Sequence, residues 1–245
     1  MKTLFCLAVS VVVTGPLMGV AQDRPVQSAA SRAYHEYRLV TTDPPYGLKK
    51  VHSLIAHIKD NGSDNKVISA KTFSALSTKE KFTYCMEHAE NFAQNCDPMP
   101  PILGEESKIF SHVPDSFEGD YEWSDRQEDF MKSHRGTVVG LLRKMIHTNR
   151  RVGLNVKQAI ILLDAYDLIP DLAAAYRRTP RDKDILTVYC CLMRDGKFKP
   201  FMKSITYHKL YGDESTSYKS FIAANAANAK LTTDRAMAYY RSRKG

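Results

Sequence analysis

Residues Asp115 to Asp129 hold seven carboxylates in fifteen positions: Asp115, Glu118, Asp120, Glu122, Asp125, Glu128 and Asp129. Clusters of oxygen ligands can hold calcium, and paired carboxylates can hydrolyse glycosides. The Asp-x-Asp-x-Asp-Gly order of an EF-hand is absent, and acids also gather at helix N-termini because the macrodipole favours them there. Phe117, Tyr121 and Trp123, the only tryptophan, interleave aromatic rings with these charges. That mixture suits a recognition loop, and it equally suits a loop pinned to the core by its rings.

Sulfur and imidazole offer less. Cys85 has His88 three residues on, within reach on a helix, but it sits on an apolar stripe away from the helix N-terminus that would activate a thiolate. Cys85 and Cys96 would stand ~16 Å apart along one helix. Cys190 and Cys191 are neighbours inside a predicted helix. A bridge from Cys85 or Cys96 to Cys190 or Cys191 stays open, with buried free thiols as the expectation. No Cys-x-x-Cys occurs, which disfavours thioredoxin-like redox work. His52 and His57 diverge by ~140° around a helix, there is no His-Glu-x-x-His, and so no metal site is expected. His52 and His134 read as hydrogen-bonded core histidines. Phosphate loops, nucleophile elbows and nucleotide fingerprints are absent, and no cofactor is implied.

The chain has 245 residues, 43% of them hydrophobic and 25% charged, which excludes collagen-like, wholly disordered and polytopic membrane classes. Met1 and Lys2 precede an apolar run, Leu4 to Val13, then Gly15-Pro16 and the small residues Gly19-Val20-Ala21. This is the layout of a secretory signal over residues 1–21, and ten apolar residues are too few to span a bilayer. The expectation is an exported, soluble chain, periplasmic or extracellular, with no transmembrane segment after the leader. Charge divides unevenly. Residues 22–150 carry 17 basic and 18 acidic groups, whereas 151–245 carry 17 and 9. The basic half favours an acidic protein or an anionic envelope component as partner. Nucleic acid is not expected, because no compact basic-aromatic motif accompanies the charge.

Positioning elements follow from periodicity. Residues 22–42 read as a polar tail or a short first helix. Asp43-Pro44-Pro45 predicts a helix opening, with Leu48, Val51, Ile55 and Ile58 on one face and Asn61-Gly62 as its stop. Ser77-Thr78-Lys79-Glu80 is a capping box, and Phe82, Cys85, Met86, Ala89, Phe92, Ala93 and Cys96 predict an amphipathic helix behind it. Residues 97–123 read as one long loop. Ser124 to Gln127 opens a helix to His147 with Phe130, His134, Val138, Leu141 and Met145 as its buried stripe. A final helix is expected after Ser215, through Tyr218, Phe221 and Ile222 towards Met237 and Tyr240.

In the last third, Leu162-Leu163, Ile169-Pro170 and Leu172 recur as Leu192-Met193, Lys199-Pro200 and Met202, each thirty residues on. Between Asn155 and Tyr207 this resembles HEAT-like helical hairpin repeats, which implies a curved stack whose concave side binds partners. The fold class is therefore all-α, as an irregular helical bundle or a short α-α superhelical stack, in a single helical domain over residues 43–245. The expected role is binding of another protein in the cell envelope, with Phe117, Tyr121, Trp123, Arg126, Arg177 and Arg178 as contacts. The rivals are a small helical hydrolase using Glu118, Glu122 or Asp125, and a structural envelope component.

Overall fold

A computed structural model describes residues 26–59, 62–93, 102–115, 120–213, 216 and 219–244. Those residues form an all-α fold. Its helices are α1 (Ala29–Leu39), α2 (Leu48–Ala56), α3 (Ala70–Ser74), α4 (Thr78–Glu87), α5 (Asp125–Ser133), α6 (Arg135–Thr148), α7 (Leu154–Leu162), α8 (Ile169–Arg178), α9 (Asp184–Asp195), α10 (Lys199–Met202), α11 (Ile205–Tyr211) and α12 (Ala226–Ser242). Four short strands make two antiparallel pairs: β1 (Asn91–Phe92) with β3 (Tyr121–Glu122), and β2 (Lys108–Phe110) with β4 (Phe221–Ala223). No helix among the described residues is long and apolar enough to cross a membrane.

Helix α9 is the axis. Ten consecutive residues, Asp184 to Met193, are buried, so this helix has no solvent face over that stretch. It packs against α12, α7, β2, α10 and α8. Each large aliphatic side chain buried here, such as Leu186 or Leu192, stabilises the fold by about 1.5–3 kcal/mol. Helices begin at Leu154 and Asp184, and again at Ile169 and Lys199, in both cases thirty residues apart. Proline stands in the first turn of α8 and of α10, where the missing amide proton is not needed. The two helices that carry the proline are unequal, since α8 has ten residues and α10 four.

Several expected boundaries move. Over residues 22–42 a helix forms at Ala29–Leu39, and it is no tail, because Ser31, Tyr34 and Arg38 are buried. Helix α2 starts at Leu48 behind Gly47, whose φ of +70° is the left-handed conformation that glycine adopts without strain, rather than at Asp43-Pro44. The Ser77–Glu80 capping box forms as expected. The helix behind it stops at Glu87, well short of Cys96, because Gln127 takes over the backbone. Its Nε2 donates to the His88 carbonyl (2.8 Å) and its Oε1 accepts from the Glu90 amide (3.2 Å). The expected 97–123 loop contains a 3-10 turn at Glu105–Ser107, strand β2 packed on α9, and β3. The helix expected from Ser124 to His147 is two, α5 and α6. Ser133 Oγ donates to the Phe130 carbonyl (3.1 Å), and His134 Nδ1 lies 3.0 Å from the same oxygen. Phe221 and Ile222 are in β4, and the last helix begins only after the Asn225 cap, whose Oδ1 accepts from the Asn228 amide. Residues 1–21, Asn61, Cys96, Phe117, Glu118, Ser215 and Tyr218 lie outside the described residues.

A buried charge network fastens the chain's beginning to α9. Arg38 Nε donates to both oxygens of Asp184 (3.0 Å each), and Arg38 Nη1 donates to Glu105 Oε2 (3.1 Å). Lys157 Nζ donates to Asp182 Oδ1 (2.6 Å) and lies 4.0 Å from Asp184 Oδ2. Asp182 is driven above the usual carboxylate range by burial and by the charge of Asp184, against the pull of Lys157. On the solvent side, His35 Nδ1 sits 2.9 Å from Glu105 Oε1. Removing one partner of a buried pair leaves an uncompensated charge, so Arg38→Met should destabilise the fold by about 3–5 kcal/mol in urea denaturation. Adding Asp184→Asn to that variant should recover part of the loss. Equal stability of Arg38→Met and wild type would show that the network holds nothing together.

Candidate functional site

An open groove of about 620 Å³ lies between α3, α4 and α5. Phe73 of α3 and Phe130 of α5 form its base, edge to face at 6.2 Å. Two cations lie over the Phe73 ring: Lys81 Nζ at 5.5 Å and the Arg126 guanidinium carbon at 4.8 Å from the centroid. Ser74, Asp129, Lys132, Ser133 and His134 complete the lining. Lys132 Nζ donates to Glu128 (2.6 Å), an i,i+4 pair along α5.

Glu90 holds Arg126 in this position. Arg126 Nε donates to Glu90 Oε2 (2.7 Å), and its Nη2 donates to Glu90 Oε1 and to the Ile68 carbonyl (2.7 Å). The same carboxylate accepts from Tyr84 Oη (2.7 Å) and Ser124 Oγ (2.5 Å). Burial by itself would raise the Glu90 carboxyl, but the hydrogen bonds from Arg126, Ser124 and Tyr84 outweigh it and keep the group below the ordinary carboxylate range. Gln127 completes the joint by accepting from the Ser124 amide at the start of α5 (3.1 Å). A guanidinium fixed along its edge by a carboxylate presents its flat face, and here that face covers Phe73.

The six expected contact residues do not gather in one place. Arg126 lines the groove. Trp123 is half-buried, and its indole Nε1 donates to the Cys85 carbonyl (2.5 Å) at the end of α4. Tyr121 packs against Phe92 across the β1–β3 pair (5.6 Å), with Lys66 over its ring. Of the two roles open to these aromatics, anchoring their loop to the core is the one that the contacts describe. Phe117 is outside the described residues. Arg177 and Arg178 are exposed in the last turn of α8 and do not line the groove.

Of the rival carboxylates, Glu122 and Asp125 are exposed, and Glu118 lies outside the described residues. His52 and His134 are exposed rather than core residues, with His52 Nε2 2.8 Å from Glu87 Oε2. Cys85, Cys190 and Cys191 are free and buried, and burial pushes the Cys191 thiol up to about 11. Among the described residues no three His, Cys, Asp or Glu side chains gather as a metal site. The pattern reading missed Phe73, Lys81, Tyr84 and Glu90. Glu90 falls just off the expected Phe82–Cys96 stripe, where an acid is unremarkable, so local spacing carried no signal for it.

Because the folded protein keeps Glu90 ionised to lower pH than an unfolded chain does, its contribution to stability is complete above the ordinary value of 4.5 and is lost as pH falls towards the folded value. Glu90→Gln should therefore be less stable at pH 7 and lose less further stability below about pH 4.5. Parallel acid-unfolding curves for the two proteins would remove Glu90 from this role.

No protein-family model matches the chain, and neither a curated protein nor a solved structure was found to match it.

Proposed function

We propose that this is an exported interaction protein whose groove over Phe73 and Phe130 takes an acidic segment of a protein partner. The observation that supports it is the pairing of an aromatic base with Lys81, Arg126 and Lys132 in one open groove. Carboxylates of a partner would meet the cations, of which Lys81 and Arg126 lie over the Phe73 ring and are positioned by it. Arg126 comes already oriented by Glu90, so less side-chain freedom is lost on binding. Export rests on the leader-like run Leu4 to Val13 and the small residues before Gln22. The HEAT-like resemblance is consistent with this role, since such hairpins serve as binding surfaces, and the helix starts thirty residues apart support it.

A hydrolase is favoured less, since Glu122 and Asp125 are exposed and neither lines the groove. The test is titration of residues 22–245 with a panel of Asp/Glu-rich peptides carrying one Phe or Tyr, read through Trp123, which is hydrogen-bonded close behind the groove. Lys81→Glu with Lys132→Glu should weaken binding at least about tenfold, the scale of charge complementarity at an interface. Peptide binding that is indifferent to this double variant, or no binding across the panel, would overturn the reading.

A further inference from the structure

The C-terminal ends of α6 and α8 lie side by side and carry a dense run of positive charge. Arg178 Nη2 donates to the Ile146 carbonyl (3.0 Å), and Thr179 Oγ1 donates to the Arg150 carbonyl (3.4 Å), so the turn after each helix meets the other. Residues 143–151 contain four Lys or Arg and no carboxylate. Residues 177–183 contain four more and a single carboxylate, Asp182, which is buried against Lys157.

Helix dipoles account for cations in a last turn, and Asp171 engages Arg143 and His147. Neither explains Arg150, Arg151 and Arg181, which stand beyond the helix ends. Arg151 and Arg181 lie over the Tyr37 ring of α1, at 5.1 and 4.7 Å. Among the described residues the side chains of Lys144, Arg150 and Arg177 are exposed and show no hydrogen bond or ion pair.

Apolar surface adjoins this charge. Leu39 and Val40, at the end of α1, are 43% and 40% exposed. The Val40 carbonyl accepts from the Leu154 amide (2.9 Å), which places the pair beside the 149–153 turn and its arginines. A soluble polyanion would use only the cations. Aliphatic tips next to a tyrosine and a set of arginines have a use where charge and hydrocarbon meet, at the headgroup level of a bilayer.

We propose that this face, built from the ends of α1, α6 and α8, seats the protein on an anionic lipid surface. Phosphate headgroups meet Lys144, Arg150 and Arg177, while Leu39 and Val40 enter the headgroup layer. This seat is separate from the Phe73 groove and does not depend on it.

The test is co-sedimentation of residues 22–245 with vesicles of phosphatidylcholine alone and of phosphatidylcholine mixed equally with phosphatidylglycerol. Binding should require the anionic lipid and weaken as salt rises through the physiological range. Arg150→Glu with Arg177→Glu should reduce it at least about tenfold, the loss expected when several cations leave the surface. Both positions are exposed and unpaired, so the fold should persist, which circular dichroism checks. Leu39→Ser with Val40→Ser should reduce binding severalfold, and Lys81→Glu in the groove should leave it unchanged. No partition onto anionic vesicles, or equal binding by the charge-reversed protein, would overturn the proposal. Binding that ignores the Leu39 and Val40 changes would also overturn it, in favour of a soluble polyanion. None of these outcomes touches the peptide titration that decides the groove.

Discussion

The fold depends on a guanidinium held out of water. Arg38 bridges Asp184 at the start of α9 and Glu105 in the segment before β2, and Lys157 of α7 supplies the second buried cation. Charge buried this deeply is tolerated only with its partners in place, so α1, α7, α9 and the 3-10 turn must arrive together. Hydrophobic packing around α9 is non-directional and would accept several arrangements of these helices. The ion pairs accept one. They stand between the N-terminal helix and the last third of the chain, which the polypeptide separates by well over a hundred residues.

Glu90 and Arg126 repeat the device on a smaller scale at the α4–α5 joint, but with one difference. Arg38 is enclosed, whereas the Arg126 side chain stays 28% exposed. The same chemistry therefore serves enclosure in one place and presentation in the other. Held along its edge by Glu90, the Arg126 guanidinium lays a face over Phe73, which makes that wall of the groove rigid. At the α6–α8 end, by contrast, Lys144, Arg150 and Arg177 are exposed and show no hydrogen bond or ion pair among the described residues.

Helix class and most helix cores were legible because they rest on periodicity. The Ser77 box, the Ser124 start, and the buried positions Val138, Leu141 and Met145 need only local spacing. The errors have two causes. At Glu87 and at Phe221, contacts from distant residues decide where a helix stops or a strand forms, whereas at Ser133 side chains bond a carbonyl one turn back, and apolar periodicity carries neither. Short strands such as β2 are too brief to show alternation. Arg126 was singled out because it adjoins the aromatic run, and it lines the groove. Phe73 and Lys81, far away in sequence and ordinary in pattern, could be assembled with it only by the fold. Arg38 and Lys157 were legible only as isolated charges whose burial depends on partners elsewhere.

The adjacent sulfurs of Cys190 and Cys191 lie within the fully enclosed stretch of α9. Oxidants and mixed-disulfide partners reach them only when the helices around α9 part, since thiol chemistry needs both ionisation and access. In the closed fold Cys190 and Cys191 are thus chemically quiet, while every excursion to an open state exposes two neighbouring nucleophiles. Such excursions can end in covalent cross-linking before refolding, which makes the rate of opening, and not the equilibrium alone, the quantity that sets the working lifetime of the molecule.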